Sequence, residues 1–390
     1  MASLYRSVVL LLSIATIQVQ ATEWDVEGIK GGYQQQQPEL QQTTLQADSP
    51  YVGPRLRSSP RLTRPICLAR GKSERYLKKE KMEENYPQFI DCENKYLKSE
   101  YNYVKKPSTG KHSSHLQVGS KKSDGSKVLL KTIERDYIMS HTLESTPPPK
   151  SHSIEVSALY GKHAGARCTS PRPQSLLLPL EIETQKYLSQ PGYENPHVLE
   201  VIDYIVTEDA YILVMEYPGE DWVVLDEYLK KYDKLFVNEV RPLIKKVIKV
   251  SLSLKKFGIA HGCVTESNVL YNKDTGGVKL MNFELSRPLK GWNQGSSASR
   301  SSEDEPPFWG TEKDSMMDIG RLMYRLLTSE PPSQSSSTRG EFAKKLGDNL
   351  NDPRSQRSIN LVDLVFVLLG QGSYEMTLGD TLDHPFFTSQ

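Results

Sequence analysis

Net charge is almost absent from this chain. Its 49 lysines and arginines face 48 aspartates and glutamates, leaving +1 over 390 residues. A chain so balanced has no bulk field to gather nucleic acid or an acidic membrane, so function has to sit in a site or a surface patch. Cysteine is scarce as well. Cys67, Cys92, Cys168 and Cys263 are too few for a disulfide framework and show no zinc-ligand spacing. In an oxidising compartment they can still pair, and Cys67 with Cys92 is the expected couple, because both precede the first strong folding pattern. Long apolar runs are missing too: beyond the N-terminus nothing approaches the ~18 residues of a membrane span, so no transmembrane segment is expected.

The N-terminus is the exception. Arg6 precedes the apolar run "SVVLLLSIATI", which is too short to cross a bilayer, and small residues follow up to Ala21. That order predicts a secretory signal over 1–21 and a protein that is secreted or held in a secretory organelle. Residues 22–60 are rich in Gln, Pro and Ser with little to bury, which predicts disorder. A basic extension follows over 61–100, with "RYLKKEKMEENY" at its centre. It reads equally as a helical appendage packed on the domain behind it, as a solvated linker, or as a segment touching a membrane surface through Arg55 to Lys81.

Ordered patterns begin near Lys127. "KVLLKTIE" is strand-like, and "HVLEVIDYIVTEDAYILVMEY" holds two β-rich runs broken at Glu208-Asp209, a hairpin signal. Between them "LPLEIETQKYL" suits a helix, preceded by a loose insert over 140–178. The period then changes. Val240, Leu243, Ile244, Val247 and Ile248 form one helical stripe that Asn238 can cap; Ile319, Leu322, Met323, Leu326 and Leu327 form a second, and "INLVDLVFVLL" a third, more buried helix. Strands first and helices after predict an α+β fold in two lobes.

The order of these pieces carries a resemblance. A strand with Lys131, a helix with Glu181, a strand pair ending in "VMEYP", a long helix into "HGCVTESNVL", a hairpin into "VKLMNFEL" and a final "LDHPFF" resemble the bilobal protein-kinase fold over 101–390, about three quarters of the chain. The resemblance implies a β-rich N-lobe over 101–217 and a helical C-lobe over 218–390. "VLLKTIERDYI", "LPLEIETQKYL" and the hinge Pro218 are similar to PIM serine/threonine kinases. The secretory signal, the basic extension and His261-Gly262 are similar to secreted rhoptry kinases. The resemblance further implies a nucleotide site of Lys131, its ion-pair partner Glu181, the hinge residue Glu216, Asn268, and Gly110 in the loop over the phosphates, with ATP and Mg²⁺ as the cofactors such a site takes.

The departures bear on chemistry. Phosphoryl transfer asks for a base, a metal clamp and a phosphate cradle. Aligned on His261 and Asn268, the catalytic aspartate position holds Cys263, whose thiol is a poor proton relay between oxygens. The metal-binding aspartate position holds Asn282 and the glycine two residues on is Glu284, so Asn268, Asn282 and Glu284 are the remaining metal candidates. Gly110 stands alone where several glycines belong. Three readings follow. The first is a pseudokinase that binds or allosterically regulates a protein partner, such as another kinase or a host protein. The second is an active, unconventional serine/threonine kinase, and the third a scaffold presenting the basic arm.

Overall fold

The computed structural model describes residues 62–103, 115–148, 171–192, 195–232, 234–290, 310–332, 338–346 and 355–389, all inside one compact unit, Ser59–Gln390. The signal segment, the Gln-rich stretch and Gly110 lie outside the described residues.

Two helices open the unit, α1 (Arg70–Met82) and α2 (Tyr86–Glu100). The N-lobe then builds an antiparallel sheet from β1 (Tyr101–Asn102), β2 (His115–Lys121) and β3 (Lys127–Glu134). Next come β4 (His141–Leu143), β5 (Leu177–Pro179) and the helix α3 (Leu180–Leu188), followed by β6 (Val201–Val206) and β7 (Ala210–Glu216). The five-stranded sheet runs β1-β2-β3-β7-β6. β4 and β5 pair with each other, so the segment expected to be a loose insert over 140–178 is ordered at both ends; its middle lies outside the described residues.

β3 and β7 are buried on both faces; β7 is apolar from Ala210 to Met215, and β3 buries Lys131 and Thr132 beside its apolar residues. Leu129, Ile133, Leu213 and Met215 face a cluster that includes Ile182 of α3. Val128, Leu130, Ile212 and Val214 face the other way, and Leu97 and Tyr101 cover them. Helix α2 of the N-terminal extension thus packs on the sheet, Phe89 and Ile90 in the first cluster and Leu97 in the second, and the solvated-linker reading of 61–100 is corrected. The extension is also fastened by polar groups. Glu80 Oε2 accepts from the Leu177 N–H at 2.9 Å and Glu93 Oε2 from the Val206 N–H at 2.9 Å. Arg135 of the N-lobe donates to the Tyr86 hydroxyl at 2.9 Å. Burial raises the Glu80 carboxyl above its usual range, against the pull of the Leu177 N–H. Cys67 is a buried free thiol whereas Cys92 is disulfide-bonded, so the expected Cys67–Cys92 pairing does not form.

In the C-lobe, β8 (Trp222–Val224) and α4 (Leu225–Tyr232) precede the long α5 (Val237–Lys256). β9 (Ile259–Ala260), β10 (Val269–Asn272), β11 (Val278–Leu280) and β12 (Arg287–Pro288) follow, then α6 (Glu312–Thr328), α7 (Arg339–Leu346), α8 (Gln356–Leu368) and α9 (Pro385–Thr388). The expected stripes of α5 and α6 are fully buried in one core. The cap of α5 differs from expectation: it is Phe236, because Glu239 reaches back to the Phe236 N–H at 2.9 Å, and Asn238 is exposed in the first turn. No described helix is long and apolar enough to cross a membrane.

Candidate nucleotide and phosphotransfer site

Strand alternation turns Lys131 toward α3, where its ammonium pairs with Glu181 in a buried contact. Every residue of α3 is buried, and Glu181 also accepts from the Phe283 N–H at 3.2 Å, which ties helix, sheet and the segment after β11 at one point. The ammonium makes a second bond, donating to Asn282 Oδ1 at 2.6 Å. Asn282 Nδ2 donates to Asn268 Oδ1 at 3.1 Å, and Asn268 Nδ2 donates to the Cys263 carbonyl at 2.9 Å.

The two ends of this chain dictate its direction. An ammonium can only donate and a peptide carbonyl can only accept, so both amides between them have one orientation that satisfies every bond. Both amide oxygens thus already receive a hydrogen. A neutral amide cannot balance a divalent cation as a carboxylate does, and Mg²⁺ needs several oxygens near ~2.1 Å. Glu284 lies on the exposed side of a single turn, Phe283–Leu285, and shares no hydrogen bond with Asn268 or Asn282. Among the described residues no group of three or more His, Cys, Asp or Glu gathers as a metal site. The residues present do not fit the Mg²⁺ of a phosphotransfer site.

The backbone around Asn282 is also specialised. Its φ of 67° lies in the left-handed region, which asparagine tolerates better than most residues. Gly262 has φ +78°, and a Cβ there would stand 2.2 Å from the Leu285 carbonyl oxygen. The His261-Gly262 pair therefore has a local cause: the catalytic-type loop and the turn after Asn282 touch backbone to backbone.

Cys263 follows, half-buried. Burial pushes its thiol up, and the nearby Asp318 carboxylate pushes it further, so it is protonated at neutral pH. His261 cannot help it. The ring is buried against Phe283, with centroids 4.8 Å apart. Its Nε2 bonds the Met281 carbonyl at 3.0 Å and so carries the hydrogen, while Nδ1 accepts from the Cys263 N–H at 3.3 Å. Burial pushes the imidazole down to about 4, keeping it neutral. Asp318 of α6 holds the same loop by accepting from the Val264 N–H at 3.3 Å; sequence reasoning did not single it out, because its partner is a backbone group.

At the hinge, the Glu216 carboxylate pairs with Lys279 at 2.9 Å and its N–H donates to the Glu200 carbonyl at 2.9 Å. Pro218 next to it has no N–H, so an adenine ring would find fewer donors there. The structure brings Lys131, Glu181, Asn268, Asn282 and Cys263 together; Glu216 stands at the hinge and Glu284 turns outward.

No protein-family model matches the chain. It is 29% identical over 209 residues to the serine/threonine-protein kinase PLK4 of Nematostella vectensis, covering 50% of this chain and 21% of that protein. PLK4 of Xenopus laevis is 26% identical over 212 residues, and the human hormonally up-regulated neu tumor-associated kinase is 27% identical over 189 residues, 45% of this chain and 26% of that protein. The chain thus spans about a fifth to a quarter of the length of these relatives. These relatives are kinases, the PLK4 proteins of the serine/threonine type, and together with the two-lobed α+β architecture they support a protein-kinase-like domain in this chain.

Proposed function

We propose that the chain is a secreted pseudokinase, with features of both PIM and rhoptry kinases, that acts by binding a protein partner and regulating it allosterically, the partner being another kinase or a host protein. The observation that carries this reading is the directional chain from Lys131 through Asn282 and Asn268 to the Cys263 carbonyl. It satisfies, without a metal, the groups that a kinase would turn toward Mg²⁺ and phosphate. An aspartate at 282 could not donate to Asn268; the asparagine closes the network. Loss of the base at Cys263 agrees with this, since a protonated thiol neither orients nor deprotonates a hydroxyl. Secretion rests on the order of charge, apolar run and small residues over 1–21.

The alternative, an active unconventional kinase, is favoured by one observation, the intact Lys131–Glu181 ion pair. The experiment that separates the two is transfer of radiolabelled phosphate from ATP to a mixed serine/threonine peptide library, with Mg²⁺ or Mn²⁺ present. No incorporation above a Lys131→Met control is expected. Incorporation that the control abolishes would replace the pseudokinase reading with the kinase one.

A further inference from the structure

Helix α5 carries six basic residues and no acidic one over 240–256, in a chain whose charges otherwise balance. Lys249, Leu252, Ser253 and Lys256 recur at i, i+3, i+4 and i+7 and form one stripe away from the core stripe. They line a cleft of about 570 Å³ together with Lys255 and, from the loop before β6, His197. Lysines on a helix face are ordinary where acids sit beside them, as Asp226 and Glu227 do for Lys230. Of the lysines lining this cleft, only Lys255 has such a partner among the described residues, Glu312 at 2.8 Å. Lys249 and Lys256 are exposed and have no acidic partner among the described residues.

We propose that this cleft is a docking site for an acidic segment of a protein partner, one that carries an apolar side chain among its carboxylates. Charge complementarity sets the sign: two ammonium groups with no acidic partner among the described residues favour carboxylates. The dimensions set the class of ligand. Seven residues of helix separate Lys249 from Lys256, about 10 Å, which matches about three residues of extended peptide and exceeds a single anion. Leu252 and the ring of His197 supply an apolar floor between the charges; burial holds that imidazole below its usual range, so it is neutral at pH 7. The cleft also adjoins the candidate site through the backbone. The His197 carbonyl accepts from the Leu280 N–H at 2.9 Å, two residues before Asn282. A partner seated against His197 is one backbone hydrogen bond away from β11, the strand that leads into Asn282. This inference rests on the reading that the protein works by binding a protein.

The test uses the secreted chain and a fluorescein-labelled peptide in which a leucine is flanked by glutamates on both sides, followed by fluorescence anisotropy at physiological salt. Lys249→Glu with Lys256→Glu is expected to weaken binding by about tenfold or more. The same charge change on α1, Lys78→Glu with Lys79→Glu, is expected to alter it by less than about twofold. All four lysines are exposed, so unchanged melting temperatures will show that both variants fold. Absence of binding to the unaltered protein, equal losses in the two variants, or full displacement by inorganic phosphate with indifference to a leucine-to-serine change in the peptide would each overturn the docking site. Phosphotransfer in the earlier assay would overturn the pseudokinase reading without touching peptide binding, so the two failures are distinct.

Discussion

The two sides of the candidate cleft match the kinase pattern unequally. On the N-lobe side, Lys131 and Glu181 are both present, both buried and paired. On the C-lobe side, the positions matching the base and the metal ligand hold Cys263 and Asn282. The difference is instructive because it follows structural need. The ion pair sits where the sheet, α3 and the Phe283 N–H meet, so removing one member strands a buried charge. The positions matching the base and the metal ligand are half-buried and carry no charge, and neutral Asn282 is linked through Asn268 to the Cys263 carbonyl. The residues that match the kinase pattern are those the fold buries as a pair, and the departures fall at half-buried positions.

The comparison predicts that the N-lobe side is the more sensitive. Lys131→Met leaves the Glu181 carboxylate buried and Asn282 Oδ1 without its donor, and a loss of about 3–5 kcal/mol in urea denaturation is expected. Adding Glu181→Gln should restore more than half of that loss; if it restores nothing, the ion pair does not hold the lobe.

Acid should weaken the protein through two histidines. Burial pushes His261 down to about 4, and burial with the charge of Arg135 does the same for His141. Both take up a proton more readily in the unfolded chain, near the ordinary histidine value of ~6.5. Their contribution is full above that value, and stability falls as pH drops from about 6.5 toward 4, by up to about 1.4 kcal/mol per pH unit for each histidine. Denaturation at stepped pH checks this, and His141→Gln should remove one of the two slopes.

The C-lobe side should tolerate change better. Asn282→Ala removes two hydrogen bonds at a half-buried position and is expected to lose about 1–3 kcal/mol. A larger loss than that from Lys131→Met would reverse the comparison.

Much of the fold was legible because period and burial agree. "KVLLKTIE" is β3 residue for residue, and the apolar stripes of α5 and α6 are core. The extension was harder to read for a physical reason. Its helices fasten themselves with Glu80 and Glu93, whose carboxylates cap backbone N–H groups of β5 and β6, and glutamates in a polar segment read as solvent-facing. A hint was present in the two-sided apolar runs of β3 and β7, which need a cover on each face. That Lys131, Glu181, Asn268 and Asn282 come together was legible from order along the chain. That the two asparagines close a one-way chain of hydrogen bonds was not, because direction depends on what stands at each end. The Cys67–Cys92 pairing failed because sequence proximity says nothing of Cβ approach.

The most direct test is thermal stability of the unaltered chain and of Asn282→Asp, each with ATP alone and with ATP plus Mg²⁺. A ligand bound only to the folded state at 100 times its Kd adds about 2.7 kcal/mol, enough to read as a shift in Tm. If the asparagine network stands in for the metal, Mg²⁺ will add nothing to the unaltered protein, while the aspartate variant will gain a shift that needs Mg²⁺. A Mg²⁺-dependent shift in the unaltered protein would contradict the account.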